Sequence, residues 1–403
     1  MTKDVGAHTA PPRLLSPFVR FLALTLAVVG CLVAAFEFRL VGDAIERSNL
    51  AAFYAQPASA TDGASGSMIR SEELIGVPFD ARAWRIMYRT TDTTGATVVS
   101  TGIVVAPLEP PTRPRTVLAW GHPTTGTAAD CAPSRSFDPF SGIEGLRFML
   151  DRGYVVAATD YVGMGTDGPD SYLVGETAGN AMLDAVRAAE SLTASGAGTD
   201  VVMWGHSQGG QAALFAAQLA PTYAPELTVK AVAAAAPAAD LTALMGDHLT
   251  DVSGVTIGSY AFTAFSQVYA DRGATLDAIL TPEAQAILPE VNRLCLLTNI
   301  EELHRIADPV VGNFVTVDPT TVEPWETLLT ENSAGGATFD APLFIAQGLD
   351  DELVLPAATK TFAAHEAAQG INVTLHEIGG ATHGTIAYLT LTSLMAWLDK
   401  VGA

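Results

Sequence analysis

Positive charge is scarce in this chain. Its 403 residues include 21 lysines and arginines against 43 acidic residues, a formal net charge of −22. A nucleic-acid partner needs clustered basic side chains to neutralise phosphates, so that class is excluded. Electrostatic binding to an anionic surface is disfavoured for the same reason. Charged residues of both signs amount to only 16%, whereas 49% are hydrophobic. A chain of that composition buries a sizeable core, and disorder is excluded for most of it. No His/Cys/Asp group has metal-ligand spacing. The glycine-rich stretch Asp160-Tyr161-Val162-Gly163-Met164-Gly165 lacks the spacing and the following helix of a dinucleotide site. No cofactor is implied, and no internal repeat is present.

Cysteine is also scarce, with Cys31, Cys131 and Cys295 alone. Cys31 lies in the longest apolar run, residues 21–36 (FLALTLAVVGCLVAAF), which follows Arg13 and Arg20. A positive segment before a short apolar stretch has the form of an export signal. The run is slightly short of the roughly 17–25 residues of a membrane helix. Residues 1–39 are therefore read as an export signal or a single-span anchor. Cleavage near Val33-Ala34-Ala35 gives a secreted protein, and retention gives membrane anchoring through residues 21–36. Val28-Val29-Gly30-Cys31 also fits a loose lipoprotein pattern, which the further apolar residues after Cys31 disfavour. With Cys31 removed or embedded, two cysteines remain for an oxidising compartment.

Residues 40–70, small and polar, are expected to be a flexible linker. Beyond them, strand-like and helix-like segments alternate. Strands are expected at 85–90, 97–106, 116–121, 154–160, 200–205, 229–236, 342–348 and 372–378. Helices are expected at 178–192, 210–219, 357–369 and 386–398. Such alternation means a mostly parallel sheet with crossover helices, an α/β class. A hundred residues break the rhythm. Thr281-Pro282-Glu283 within them has an N-cap, a proline at the first helical position and an acid in the first turn. Residues 241–338 are thus an inserted helical cap, and 71–240 with 339–403 form the core.

Gly205-His206-Ser207-Gln208-Gly209 is the only G-x-S-x-G in the chain. VVMW before it is strand-like and GQAALFAAQLA after it is helical. That is the context of a nucleophile elbow in the α/β-hydrolase fold. A serine hydroxyl needs a base, and the base an orienting acid, following in the order Ser, Asp or Glu, His. Among eight histidines, His383 lies in a loop between the last strand and the last helix. Asp350, Asp351 and Glu352 follow the strand at 342–348, with Asp351 favoured. One oxyanion donor is the Gln208 amide. The second comes from the loop after the strand at 116–121, where Thr124, Thr125 and Gly126 are candidates.

These residues resemble the secretory lipase family, the fungal lipase A type and its bacterial relatives. Matches run from Tyr88-Arg89-Thr90-Thr91 through Asp130-Cys131-Ala132-Pro133-Ser134 to Gly175 and the helix from Met182 to Ala188. The elbow, the D-E-L-V acid loop and the A-T-H-G histidine loop follow in order. The resemblance implies Ser207, Asp351 and His383 as a triad, with Gln208 and Thr125 as oxyanion donors. The fungal type can carry an acidic residue at the Thr125 position, so any side-chain role there is changed. It also implies a disulfide between Cys131 and Cys295. The implied function is lipase action on long-chain esters through an acyl-enzyme. A short-chain esterase, acyltransferase or serine peptidase on the same fold is the alternative, with a non-catalytic surface protein a further one. The partner is an ester or lipid substrate, and no protein partner is evident.

Overall fold

The computed structural model describes residues 50–403, so the apolar run at 21–36 and Cys31 lie outside the described residues. No helix among the described residues is long and apolar enough to cross a membrane.

Nine strands pair into one sheet among these residues. They are β1 (Met68–Glu73), β2 (Ala81–Thr91), β3 (Thr97–Pro107), β4 (Arg115–Gly121), β5 (Val155–Val162), β6 (Ala197–His206), β7 (Thr228–Ala235), β8 (Leu343–Gly348) and β9 (Val373–Ile378). Their order across the sheet is β1-β2-β3-β5-β4-β6-β7-β8-β9. The first three strands are antiparallel, and β3 joins β5 antiparallel. From β5 onward every pair is parallel. Parallel strands covered on both faces read as continuous apolar runs, and VVAATDYV of β5 is buried at every position.

Side chains alternate across the sheet. Val117 and Ala119 of β4 join a core with Met182, Leu183, Val186, Leu214 and Phe362. These come from helices α2 (Gly175–Ser191), α3 (Gln208–Tyr223) and α9 (Pro356–Ala368). Leu118 and Trp120 face the opposite core with Met149, Leu394 and Trp397. That core belongs to α1 (Leu146–Asp151) and the C-terminal pair α10 (Ile386–Leu389) and α11 (Leu391–Val401). The expected single last helix is thus two, meeting at the buried Thr390.

The segment between β7 and β8 carries α4 (Leu241–His248), α5 (Val252–Val268), α6 (Pro282–Val291), α7 (Ile300–Ala307) and α8 (Trp325–Glu331). It has its own core, built on Tyr260, Phe262, Phe265, Phe314 and Trp325. The Thr281 hydroxyl accepts from the Ala284 N–H and caps α6, with Pro282 in its first turn.

The expected linker requires correction at its end. Residues 68–70 belong to β1, and the Gly66 N–H donates to the Arg89 carbonyl. MIRSEE is a polar edge strand with one partner, so it lacks the apolar alternation that marks a strand buried on one face.

The insertion is fastened to the loop after β4. Cys131 and Cys295 form a disulfide with Cα atoms 5.3 Å apart and a sequence separation of 164. The Leu296 N–H donates to the Thr125 carbonyl at 2.8 Å. Thr127 Oγ1 donates to Asn292 Oδ1 at 3.1 Å. Closing a loop of this length is worth about 5 kcal/mol in the chain-entropy model. Replacing both cysteines by serine is expected to lower unfolding free energy by up to that amount. Urea midpoints without reductant would measure it, and an unchanged midpoint would remove the bridge from the stability account.

Candidate active site

Backbone geometry at the end of β6 sets the site. Ser207 has φ 57° and ψ −117°, a left-handed φ that costs a non-glycine residue on the order of 1–3 kcal/mol. Hydrogen bonds hold it there. Its N–H donates to the Ala235 carbonyl at 2.9 Å, and its carbonyl accepts from Ala238 and Gln211 at 3.0 and 3.2 Å. The flanking glycines are required by approach distance. A Cβ at Gly205 would fall 1.9 Å from the Gly209 carbonyl oxygen, and one at Gly209 would fall 1.9 Å from that of Gly121. The start of α3 therefore presses against the ends of β4 and β6.

Three side chains named from the sequence converge. His383 Nε2 lies 2.9 Å from Ser207 Oγ. His383 Nδ1 lies 2.9 Å from Asp351 Oδ2. Asp351 Oδ1 accepts from the Leu353 and Val354 N–H groups, both at 2.9 Å. Burial alone raises the Asp351 carboxyl. The His383 hydrogen bond and charge, with the two backbone donors, outweigh it and hold the group below its ordinary value. Asp350 and Glu352 are exposed, and Asp350 uses its backbone N–H on the Ala381 carbonyl.

The cleft around Ser207 has a volume of about 300 Å³. Leu244, Ile257, Leu296 and Leu297 of the insertion line it, with Leu353 and Val354 of the acid loop. Gln208 also lines it, as does Thr124, whose hydroxyl is 2.8 Å from that of Tyr172. Thr125 does not line this cleft. It borders a neighbouring cavity of about 490 Å³, and its hydroxyl lies 3.7 Å from the Met164 sulfur.

Of the other histidines, His248 bridges Asp251 and the Leu353 carbonyl, and the His376 ring packs on Phe344. His206 lines the same cleft as His383, and Glu144 does too. Its partner Glu144 and the cleft residue Tyr172 were not found from the sequence. Both lie in irregular segments without a motif.

A profile of the secretory lipase family matches residues 145–401. The chain belongs to the secretory lipase family. Lipase A of Moesziomyces aphidis is 25% identical over 86% of this chain and 78% of its own length. A Mycobacterium tuberculosis protein named a probable inactive lipase is 24% identical over 86% of this chain and 80% of its own. The crystal structure of Candida antarctica lipase A superposes with a TM-score of 0.74 at 21% identity, covering 87% of this chain and 84% of that one. The α/β-hydrolase fold is shared, and this member of the family is an ester-hydrolysing enzyme.

One acid in the loop between β5 and α2 has a pH consequence. Burial pushes the Asp170 carboxyl up to about 7, against the lowering effect of the Tyr172 and Ser171 N–H groups. A carboxyl protonated more readily in the folded chain loses stability as pH rises from the unfolded value near 3.9 through the folded one. Asp170→Asn removes that penalty and keeps an acceptor for Tyr172. Its melting temperature is expected to match wild type at pH 4 and to exceed it at pH 8, by about 2–4 kcal/mol in stability terms. An equal difference at both pH values would refute the assignment.

Proposed function

We propose that the chain is an exported serine carboxylic ester hydrolase, a lipase that works through an acyl-enzyme. The aligned Ser207–His383–Asp351 hydrogen bonds carry this reading. His383 Nε2 accepts the Ser207 proton as Oγ attacks the ester carbonyl. Asp351 holds hydrogen on Nδ1 and stabilises the imidazolium. The Gln208 N–H at the start of α3 and the Thr125 N–H bind the oxyanion. Thr125 contributes through its backbone in this scheme, and its hydroxyl lies 3.7 Å from the Met164 sulfur. His383 then protonates the leaving alcohol and activates water for deacylation. The leucine-rich wall contributed by the insertion supports an acyl chain as the group held in the cleft. The family's secretory character and the residues 1–39 pattern support export, with cleavage or anchoring at that segment.

Because one relative carries the name inactive, turnover is the deciding measurement. A fluorophosphonate probe should label wild-type protein, with the adduct on Ser207 by mass spectrometry. Acyl esters of increasing length, beside a peptide amide, should show preference for long chains and no amide cleavage. No adduct under native conditions would overturn the mechanism. Preference for acetyl esters would replace lipase by short-chain esterase.

A further inference from the structure

His206, the residue before the nucleophile, makes a second buried histidine–carboxylate pair. Its Nδ1 lies 3.1 Å from Glu144 Oε1, and its Nε2 lies 2.9 Å from the His383 carbonyl oxygen. The side chains are 4% and 6% exposed, so water does not compete for these contacts. The His206 ring packs against the His383 ring with centroids 5.0 Å apart and planes at 42°. Trp204 Nε1 donates to the Glu144 carbonyl at 2.8 Å and ties that irregular segment to β6.

Hydrogen-bond valence fixes what this pair holds. A carbonyl oxygen only accepts, so His206 Nε2 carries hydrogen. A neutral imidazole with hydrogen there presents a lone pair at Nδ1, and an ionised carboxylate presents lone pairs alone. One proton shared between Nδ1 and Oε1 turns two facing lone pairs into a hydrogen bond. Either an acid donates to neutral imidazole or an imidazolium donates to carboxylate. Both forms leave Nε2 donating to His383.

The His383 segment is tied at its start, where the Ala381 carbonyl accepts from the Asp350 N–H, and at its end, where it enters α10. Thr382 and Thr385 bond mainly within the segment, through the Thr385 hydroxyl and the Thr382 carbonyl. Among the described residues, the His383 carbonyl accepts from His206 alone. We infer that Glu144 and His206 are positioning residues that hold the His383 main chain, so that its imidazole spans Ser207 and Asp351. This rests on the triad proposed above.

The test is steady-state kinetics on one ester, alongside fluorophosphonate labelling and melting curves. A catalytic imidazole displaced by about 1 Å loses on the order of 100-fold in rate. Glu144→Ala is expected to lower kcat by about 10- to 100-fold with KM within about threefold. Glu144→Gln keeps the volume, and its amide donates to Nδ1 of neutral His206. It is expected to recover most of the loss, which a merely stabilising carboxylate would not predict. His206→Phe keeps a ring and removes both hydrogen bonds, so it should resemble Glu144→Ala and serves if that variant does not fold. Wild-type kcat in folded Glu144→Ala or His206→Phe overturns the proposal. So does a loss in Glu144→Gln equal to that in Glu144→Ala. Wild-type protein that fails to label at Ser207 overturns the triad reading instead.

Discussion

Ser207→Ala is expected to lower kcat/KM for ester hydrolysis by about 10⁴- to 10⁶-fold while leaving the fold intact. The substitution removes a single oxygen atom. Its backbone ties, to Ala235, Ala238 and Gln211, are made by main-chain groups that alanine retains. The left-handed φ is no harder for alanine than for serine, so stability should change by under about 1 kcal/mol. What disappears is the acceptor of the acyl group. The residual rate then comes from oxyanion donors and substrate orientation alone. Far-UV circular dichroism and a melting curve establish the fold, and initial rates on a chromogenic ester establish the loss. Near-wild-type turnover in a folded variant would move the nucleophile elsewhere.

The elbow was legible because several local constraints coincide at it. An apolar strand, two glycines and an alanine-rich helix are compatible with one backbone path, and the structure places Gly205 and Gly209 where a Cβ would strike carbonyl oxygens. His383 was legible from its place in the element order. Three acids shared the loop after β8, and sequence spacing favoured Asp351 without deciding it. The structure brings Asp351 to His383 because the Leu353 and Val354 N–H groups turn its carboxylate inward. Residues joined only by the tertiary fold were not legible. Glu144 and His206 are 62 positions apart, and Glu144 lies in a segment with no helical or strand period. The polar edge strand β1 failed for a related reason. Its stabilising partners are backbone groups of β2, and backbone groups leave no mark on residue type. In the loop after β4, Thr124 lines the cleft around Ser207 and Thr125 lines the neighbouring cavity, a division that residue type does not record.

The orientation of the Asp351 carboxylate makes Asp351→Asn the sharpest test of the histidine's role. Oδ1 accepts two backbone N–H groups, so an asparagine must place its carbonyl oxygen there. Its NH₂ group then takes the Oδ2 position, 2.9 Å from His383 Nδ1. An NH₂ group donates, so Nδ1 must accept and hydrogen moves to Nε2. That hydrogen faces Ser207 Oγ at 2.9 Å, where a base is required. The imidazole is present and aligned but in the wrong tautomer. The expected loss is about 10⁴-fold in kcat at neutral pH, with KM little changed. Gln347 Nε2, 3.3 Å from Oδ2, opposes the same NH₂ group. A modest stability loss of about 1–2 kcal/mol should accompany the kinetic one. A kcat within tenfold of wild type would show that Asp351 does not set the tautomer. Because asparagine is also uncharged, the same result would remove the Asp351 charge from the account of His383.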